Sequence, residues 1–325
     1  MSSNMLYTNN LELTYPVACK IASKFFPFSV LGNFVPLKGG VFNKSYLLIL
    51  QNGLKVVLRI APAQEYLVGY ERNLMYAERL AYELCHEYDV PCPNVYVIDD
   101  SFQIINRIYM LSEYIPSVSL QNISIPMDIL FQCYRDAGKA IRKMHSIKGT
   151  RFGRLAIQVE NGGFNTWGEA LLHEVNIWLK VFTNSKLMPN RVIDAIRNVF
   201  ENHMIILNKV MLPCLAHGDL WIGNILTDFQ NEHYHFRAII DADHVIFGDP
   251  EIDFFSGKML NNAFAQGYGK DIDDSWDAFI RRRLYTLLFT MRQCYIYKYL
   301  HLDFVRSEEQ KKYIYHFLNE FHVES

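Results

Sequence analysis

Residues 215–226 read LAHGDLWIGNIL, an apolar run that contains His217, Asp219 and Asn224. The leucines and isoleucines of this run belong in a hydrophobic core. An Asp and an Asn among them must be hydrogen-bonded, bound to a metal ion or placed at the floor of a cleft, because burying unpaired polar groups costs free energy. The run therefore indicates a polar site built on a buried segment.

A second polar segment, FRAIIDADHVIFGDPEID, follows at residues 236–253. In this segment Asp241 comes directly after an apolar run and lies only 22 residues beyond Asp219. A hairpin between the two would bring Asp219, Asn224 and Asp241 to one edge of a small sheet. We therefore expect these three side chains to converge.

Two carboxylates and a carboxamide at one point provide hard oxygen ligands. Mg²⁺ prefers such ligands and completes its shell with water and phosphate oxygens. A carboxylate that holds no metal can orient a substrate hydroxyl instead. Positioning and charge neutralisation supply most of the catalysis of phosphoryl transfer, so the two segments together predict that chemistry.

Three other polar residues of these segments are expected to support the site. The sequence Gly248-Asp249-Pro250 is typical of a turn, and Asp253 is placed to cap a helix or to brace the loop. A lone histidine such as His217 is more often a satisfied interior group than a catalyst.

The composition is that of an ordinary soluble globular protein: 325 residues, 50% hydrophobic and 20% charged. This length exceeds what a single core usually serves, so two lobes or domains are expected. The 32 Lys and Arg residues nearly balance the 34 Asp and Glu residues, which gives a net charge of −2. No nucleic-acid partner is expected, because such partners are bound by a strongly basic face.

The six cysteines are scattered without a Cys-x-x-Cys pair, which favours reduced buried thiols over a disulfide framework or a zinc site. The start, MSSNMLYTNNLELTYP, lacks the basic and apolar regions of a signal peptide. No uninterrupted apolar run is long enough to span a bilayer. We therefore expect a cytoplasmic protein with no membrane partner.

The first 115 residues or so have the pattern of a sheet with one inserted helix. Turns are expected at Gly39-Gly40 and at Asn52-Gly53, and the second is a strong hairpin signal. Pro91 should lie beyond the end of the helix, since proline cannot continue it. The predicted elements are three strands within residues 34–60, a helix at 66–88, and strands at 94–97 and 104–110.

After SEYIPS, at residues 112–117, the pattern becomes mainly helical. A short island of strand pattern interrupts the helices and forms the hairpin that LAHGDLWIGNIL approaches. The predicted helices cover residues 127–146, 167–184, 190–210, 274–300 and 306–322, and the predicted strands cover 226–228 and 236–240.

HGDLWIGN resembles the HGDxxxxN catalytic loop of the aminoglycoside phosphotransferase and choline kinase group, which shares the protein-kinase-like fold. IIDADHVIFGDPEIDF resembles the metal-binding segment of that group, with its trailing GDPxxD. The resemblance implies an α+β, bilobal fold. Residues 1–115 would form a nucleotide-binding lobe with an antiparallel sheet, one helix and the hinge, and residues 116–325 a mainly helical lobe with the catalytic loop and the acceptor site.

The resemblance also implies a role for each polar residue of the two segments. Asp219 would accept or orient the substrate hydroxyl. Asn224 and Asp241 would hold the Mg²⁺ that accompanies ATP as co-substrate. His217 would hold the loop by hydrogen bonds, in agreement with the interpretation from the residue alone.

By the same resemblance the N-terminal half should bind ATP. The stretch GGVFNKS at residues 39–45 fits a glycine turn over the phosphates, although a hairpin needs glycine in any case. It does not match the GxxxxGK[ST] phosphate loop, so a P-loop fold is disfavoured. The residues of this turn expected to contact the nucleotide are Gly39, Gly40, Asn43 and Ser45.

The strand KVVLRIAP, at residues 55–62, should present a cation to the phosphates. The protein-kinase-like fold usually uses Lys, whereas this chain offers Arg59, with Lys55 on the same face of the strand as the competing candidate. Arg is permanently charged and binds phosphate oxygens through two nitrogens, so the replacement is workable. The cation should pair with a Glu of the following helix, for which Glu78 is favoured and Glu71 is the alternative.

The stretch YMLSEYIPS resembles the hinge between lobes. Backbone groups from Glu113 to Ile115 would then meet the adenine edge, with the side chain of Met110 behind it.

The acceptor site is expected on helices of the C-terminal lobe. Residues 164–179 place two tryptophans and two glutamates on or near one helix, and residues 271–279 form an acidic cluster with a tryptophan. Such groups can receive an amino group and a ring face. A solvated helix start explains the acidic cluster equally well. The candidate residues are Glu174, Trp178, Asp274 and Trp276.

These inferences predict an ATP-dependent O-kinase of a hydroxylated small molecule, acting as a monomer or a homodimer. By resemblance, the expected acceptor is an antibiotic of the aminoglycoside type or a related class, in resistance or self-protection. A metabolic acceptor of the choline, homoserine, thiosugar or ketosamine type stays open, and so does a nucleotide-binding pseudokinase. The presence of Asp219, Asn224 and Asp241 together argues against the pseudokinase, whereas Arg59 leaves room for it.

Overall fold

The N-terminal part of the chain is built on a five-stranded sheet in the computed structural model, which describes residues 12–37, 42–67, 69–123, 127–254, 261–270 and 272–323. The strands are β1 (Leu31–Leu37), β2 (Lys44–Leu50), β3 (Lys55–Ile60), β4 (Val95–Asp99) and β5 (Tyr109–Glu113). Their order is β1-β2-β3-β5-β4, and every neighbouring pair is antiparallel. This is the antiparallel sheet that the sequence predicts.

The turn at Asn52-Gly53 connects β2 to β3, as its sequence predicts. Gly53 has a φ of +87°, in the left-handed region that glycine adopts without steric cost. The side chain of Asn52 accepts a hydrogen bond from the N–H of Leu54 at 3.0 Å and closes the turn. The other predicted turn, at Gly39 and Gly40, lies outside the described residues.

A helix packs on each face of this sheet. Helix α1 (Tyr15–Phe25), which the sequence pattern did not reveal, places Ile21 in one hydrophobic cluster with Leu48 and Leu58. Helix α2 (Leu74–Glu87) lies on the opposite face, where Met75 clusters with Met110. Alternate residues of a strand point to opposite faces, so β5 contributes to both clusters.

Helix α2 begins at Leu74, later than the predicted helix of residues 66–88. Residues 69–73 form a short 3₁₀ helix instead. Gly69 has a φ of +55°, and an α-helix cannot run through a left-handed residue. The left-handed backbone of Gly69 therefore prevents α2 from beginning at residue 66.

The strand predicted at residues 104–110 is also displaced, since β5 begins only at Tyr109. Ile104 and Ile105 belong to the hydrophobic cluster beneath α1 although their backbone stays outside the strand ladder. Their apolar pattern therefore reflects side-chain burial rather than strand pairing.

The C-terminal part is mainly helical, as predicted. Its helices are α3 (Met127–Met144), α4 (Leu155–Asn161), α5 (Trp167–Ser185), α6 (Asn190–Asn202), α7 (Met204–Leu207), α8 (Asn262–Tyr268), α9 (Trp276–Tyr299) and α10 (Phe304–Val323). The single helix predicted for residues 190–210 is wrong, because His203 interrupts it with φ −103° and ψ 13°. The short α4 and α8 were not predicted.

Two small three-stranded sheets carry the polar segments. One contains β6 (Val118–Ser119), β9 (Ile225–Gln230) and β10 (His233–Ile239), and the other contains β7 (Gly153–Arg154), β8 (Cys214–Ala216) and β11 (Ile246–Gly248). The β9–β10 hairpin is the one predicted between Asp219 and Asp241, and it pairs Ile225 with Ile239. Asn224, just before β9, and Asp241, just after β10, therefore lie at the same edge.

Two large hydrophobic cores support these sheets. The first joins α2, α3 and α8 to the strands of the polar segments, and the second lies among α5, α6, α9 and α10. Leu215, Leu220 and Ile225 are at most 2% exposed and belong to the first core. The apolar residues of LAHGDLWIGNIL thus anchor the segment, as the opening stretch indicates.

The six cysteines are free thiols, five of them buried, in line with the prediction of a chain without a disulfide framework. Across the part of the chain that the structure describes, no helix combines the length and the apolar character needed to cross a membrane.

Helices α3 and α8 approach each other at two glycines. A Cβ on Gly138 would lie 2.3 Å from the carbonyl oxygen of Phe264, and a Cβ on Gly267 would lie 1.8 Å from that of Arg135. Both obstacles are backbone atoms, which cannot rotate away. The contact therefore requires glycine on both helices.

Gly267→Ala should lower the free energy of unfolding by about 1–3 kcal/mol, because the added methyl group forces the two helices apart. Gly269→Asn is the matched control at the end of the same helix, where φ is +64° and the nearest atom to a Cβ is 3.8 Å away. Asn tolerates this conformation, so the control should change stability by less than about 0.5 kcal/mol. Urea unfolding followed by circular dichroism measures both, and equal stability of the two variants would contradict the close packing.

Candidate active site

The loop that carries Asp219 leaves β8 through a turn that only glycine fits. Gly218 has a φ of +75°, and a Cβ at this position would lie 2.2 Å from the carbonyl oxygen of His244. The chain therefore reverses tightly between His217 and Asp219. The half-buried Asp219 emerges from this turn directly after the buried strand.

His217 holds the loop from inside. Its side chain is fully buried; Nε2 lies 3.0 Å from the carbonyl oxygen of Ile240, and Nδ1 accepts the N–H of Asp219 at 3.3 Å. These contacts assign the neutral tautomer with the proton on Nε2. Both ring nitrogens are occupied by backbone groups, which suits a structural role.

Asp253 fixes the backbone of the same turn. Its carboxylate accepts the N–H groups of His217 at 2.8 Å and of Gly218 at 2.7 Å, and it contacts Nε2 of His145 at 2.9 Å. Burial alone would raise the pKa of Asp253, but the hydrogen bonds from His145 and His217 lower it below its ordinary value. The charge of Asp253 thus stays in the protein interior and orients the loop.

Asp249 braces the helices around the loop. Its carboxylate accepts hydrogen bonds from Nε of Arg281 and from the hydroxyl of Tyr285, both at 2.8 Å. The same hydroxyl accepts the indole N–H of Trp167 at 2.7 Å. Asp249 therefore ties α9 and α5 to the segment that follows β11.

Asn224 and Asp241 are brought together by the hairpin backbone. The N–H of Ile240 donates to the carbonyl oxygen of Asn224 at 3.0 Å, so Asp241 is the next residue along the chain. The amide nitrogen of Asn224 donates to the carbonyl oxygen of Asp219 at 3.0 Å, which leaves its side-chain oxygen for a ligand. The Asp241 side chain is 41% exposed and thus accessible.

The donor set at this edge fits Mg²⁺. Mg²⁺ is usually held by one or two carboxylates together with water and substrate phosphates rather than by an all-protein cage. Asn224 and Asp241 offer oxygen donors at one point. Within the described ranges, no three His, Cys, Asp or Glu side chains form a preformed metal cage.

Arg59 binds two carboxylates at once. One terminal nitrogen lies 2.6 Å from Glu78 and the other lies 2.7 Å from Asp241, while Asp243 is 3.7 Å away. Burial alone would lower the pKa of Arg59, but these three carboxyl groups raise it above its already high ordinary value. A lysine has a single nitrogen and could not make both contacts in this geometry.

The alternative cation, Lys55, and the alternative carboxylate, Glu71, do not take part in this ion pair. Lys55 is exposed at the start of β3, with its ammonium 5.6 Å from the centre of the Tyr114 ring. Glu71 belongs to the 3₁₀ helix before α2. The geometry therefore pairs Arg59 with Glu78.

Tyr82, which the sequence pattern does not single out, connects this pair to the edge that carries Asp241. Its hydroxyl donates to Glu78 at 2.8 Å and accepts the N–H of Asp241 at 2.9 Å. Asp241 has a φ of +62°, an uncommon conformation for a residue with a side chain, and the Tyr82 bond helps to hold it. The available signal was the spacing of four residues between Glu78 and Tyr82, which places both on one helical face.

Asp243 was also missed, although it lies two residues after Asp241. Its side chain is buried, and burial together with the charge of Asp241 raises its pKa well above the ordinary value. The repeated Asp in IIDADH was the signal, but sequence does not tell which of the two faces outward.

The other described residues that were predicted to contact the nucleotide next to Arg59 lie around β3. The register places Ser45 opposite Arg59 on one side and Met110 opposite it on the other. Asn43 is 6% exposed, and its side-chain oxygen has no hydrogen-bond partner among the described residues. Met110 is buried and packs toward α2, behind the strand that carries Arg59. Gly39 and Gly40 lie outside the described residues.

At the predicted hinge, some backbone groups already form hydrogen bonds within the protein. The N–H of Glu113 donates to the carbonyl oxygen of Asn94 at 2.8 Å, and the carboxylate of Glu113 accepts the Asn94 side-chain amide at 2.7 Å. The carbonyl oxygen of Ile115 accepts the hydroxyl of Ser117 at 2.8 Å. The adenine contact at these residues stays a prediction.

The predicted acceptor residues do not form one surface. Glu174 is 1% exposed and binds Arg154 at 2.5 Å, while Trp178 is buried against the ring of Tyr295. Asp274 and Trp276 are exposed instead, at the start of α9. An acceptor role for Glu174 and Trp178 therefore does not follow from their positions.

The fold and the groups around Asp219 define an ATP-dependent phosphotransferase with a protein-kinase-like fold. Residues 33–293 match the phosphotransferase enzyme family APH, and the chain belongs to that family. No curated protein matches the chain in sequence.

Solved structures share the fold over nearly the whole chain. A thermostable mutant of aminoglycoside phosphotransferase APH(4)-Ia, in its apo form, has a TM-score of 0.67 at 18% identity, covering 93% of this chain and 98% of that chain. The streptomycin–ATP–APH(2″)-IIa complex has a TM-score of 0.63 at 16% identity, covering 93% and 97%. A Thermobifida fusca protein proposed as a fructosamine-3-kinase has a TM-score of 0.66 at 14% identity, covering 93% and 97%. The predicted α+β fold is thereby confirmed.

Arg59→Met should destabilise the protein by about 3–5 kcal/mol, because it leaves the buried Glu78 without its cation. Adding Glu78→Gln to that variant should recover part of the loss, since the neutral amide needs no counter-ion. Chemical unfolding of the wild type, both single variants and the double variant gives the coupling energy of the pair.

The matched control is the pair Arg79 and Glu83, which lies on the same helix with side chains about half exposed. The corresponding cycle, with Arg79→Met and Glu83→Gln, should give a coupling energy below about 0.5 kcal/mol. Equal coupling energies in the two cycles would show that the Arg59 pair is not a buried ion pair.

Proposed function

We propose that the protein transfers the γ-phosphoryl group of Mg·ATP to a hydroxyl of a small molecule. The observation that carries this proposal is the convergence of Asp219, Asn224 and Asp241 at one edge of a hairpin. Arg59, held by Glu78, adjoins the same edge. These are the groups that phosphoryl transfer needs: a hydroxyl-orienting carboxylate, oxygen donors for the metal, and a cation for the phosphates.

In the proposed reaction Asp219 accepts a hydrogen bond from the acceptor hydroxyl and directs its oxygen toward the γ-phosphorus. Burial raises the pKa of Asp219, which makes it a better proton acceptor, and the charge of Arg292 opposes that rise. Bound Mg²⁺ would neutralise phosphate charge at Asn224 and Asp241. Arg59 would then bind phosphate oxygens while Glu78 keeps the guanidinium in position.

Two acceptor classes are proposed. An antibiotic acceptor, in resistance or self-protection, is supported by neighbours whose structures contain hygromycin B or streptomycin. A metabolic acceptor is supported by the neighbour proposed as a fructosamine-3-kinase. Because the co-substrate is ATP, we place the reaction in the cytoplasm, with the enzyme as a monomer or a homodimer.

Asp219→Asn should reduce phosphoryl transfer by at least about 100-fold, because the amide cannot accept the hydroxyl proton. The purified protein is incubated with Mg·ATP and a mixed panel of hydroxylated antibiotics and metabolites. Mass spectrometry then detects products heavier by one phosphoryl group. Asp136→Asn, a partly exposed change on α3, is the control and should keep full activity. Full activity of Asp219→Asn would refute the assigned role.

Asp241→Ala should abolish most of the Mg²⁺ dependence of nucleotide affinity, because it removes the charged metal ligand. Calorimetric titration with AMP-PNP, with and without Mg²⁺, measures this dependence for the wild type and the variant. Only the ratio of the two affinities is compared, since the variant also releases Arg59. An unchanged ratio would contradict the metal assignment. The absence of Mg²⁺-dependent AMP-PNP binding in the wild type would contradict the proposed function.

A further inference from the structure

Arg292 on α9 is a buried cation without an ion-pair partner among the residues that the structure describes. Its side chain is 5% exposed, and its buried Nε atom has no hydrogen-bond acceptor within the described ranges. It forms no ion pair with any residue in the described part of the chain. Two other buried arginines of this region differ, since Arg154 binds Glu174 and Arg281 binds Asp249.

An unpaired charge in a protein interior is costly, because desolvation is not repaid by an opposite charge. A structural arginine at this place would be expected to have a carboxylate partner, as Arg154 and Arg281 do. The guanidinium of Arg292 therefore fits a group that an anionic ligand completes. Guanidinium groups bind carboxylates and phosphates through two parallel hydrogen bonds.

Arg292 lies two helical turns after Tyr285 on α9, on the helical face whose Tyr285 hydroxyl donates to Asp249 at 2.8 Å, and it therefore faces the segment after β11 that braces the Asp219 loop. Among the charged residues it has the largest effect on the pKa of Asp219, which it lowers against the rise caused by burial. It also helps, after burial itself, to hold the pKa of His244 well below the ordinary value. The other charged or titratable groups that act on these two residues are His217, Arg154 and Asp241.

Arg292 and Arg59 approach the site from different parts of the fold, since Arg59 lies on β3 of the N-terminal sheet and Arg292 lies on α9 of the helical part. The carboxyl groups that act on Arg59 are Glu78, Asp241 and Asp243, at the edge assigned to Mg²⁺ and the phosphates. Arg292 acts on Asp219, the residue that meets the acceptor in the proposed reaction. An oxyanion next to Arg292 would thus belong to the acceptor.

We propose that Arg292 binds an oxyanion of the acceptor, either a carboxylate or a phosphate group, so that the acceptor is an anionic hydroxylated small molecule. The inference rests on the proposed function, since it takes Asp219 as the residue that meets the acceptor hydroxyl. A polycationic aminoglycoside would instead bring ammonium groups toward a buried guanidinium and is disfavoured.

The test is a titration of the purified protein, saturated with Mg·AMP-PNP, with sodium sulfate as a minimal oxyanion. The melting temperature is followed at constant ionic strength. Sulfate stabilises proteins in general by exclusion from their surface, so the informative quantity is the difference between the wild type and Arg292→Met. We expect a saturable rise in the wild type and an apparent affinity at least tenfold weaker in the variant.

Two further variants keep the result interpretable. Arg292→Lys retains a positive charge and should keep part of the sulfate effect if Arg292→Met folds poorly. Lys298→Met, in the last turn of the same helix, removes a cation elsewhere and should leave the effect unchanged. Loss of sulfate binding in Lys298→Met as well would show a general charge effect and would overturn the proposal.

A parallel titration in Mg·ADP separates the acceptor from the transferred phosphoryl group. Sulfate binding that depends on Arg292 in both nucleotide states supports the acceptor oxyanion. Binding seen with ADP and lost with AMP-PNP would assign Arg292 to the γ-phosphoryl group and overturn the proposal. Binding of AMP-PNP without any effect of Arg292 on sulfate would refute this inference alone, whereas failure to bind AMP-PNP would refute the proposed function and this inference with it.

Discussion

The Arg59 guanidinium holds together three parts of the chain that meet at the site. It extends from β3 to Glu78 on α2 and to Asp241 after β10. The Tyr82 hydroxyl also links these two residues, because it donates to Glu78 and accepts the N–H of Asp241. These residues are far apart in sequence, so their contact ties the N-terminal sheet to the segment that follows the C-terminal hairpin. Because Glu78 is nearly fully buried, the pair forms only when helix and strand pack correctly.

The loop that carries Asp219 depends on a second buried charge. Asp253 satisfies two consecutive backbone N–H groups in a turn where no side chain fits at Gly218. A turn of this kind has no regular hydrogen-bond partners of its own, so a carboxylate must supply them. His217 completes the loop by binding Ile240 across the hairpin. The position of Asp219 therefore results from backbone constraints on both sides rather than from contacts of its own side chain.

The sequence was informative where contacts are local. Asp219, Asn224 and Asp241 fall close together because one short hairpin separates them, and its alternating pattern and spacing are visible in the sequence. The predictions failed where the structure depends on contacts with residues distant in sequence or on backbone conformation. The helical period located α5, but it did not reveal that its Glu174 binds Arg154 of β7 rather than an acceptor. The start of α2 was misplaced because apolar periodicity continued through Gly69, whose left-handed backbone breaks the helix.

The distribution of charge separates two ends of the site. At the Arg59 end one guanidinium faces three carboxyl groups, so negative charge is in excess; burial first, and then the charge of Asp241, raise the pKa of Asp243. A divalent cation would relieve that excess and take over Asp241, which would release one side of the Arg59 guanidinium for phosphate oxygens. At the Asp219 end, Arg154 already has its carboxylate, whereas Arg292 forms no ion pair with a described residue, although its charge acts on Asp219. One end therefore suits a metal ion with polyphosphate, and the other suits an anion.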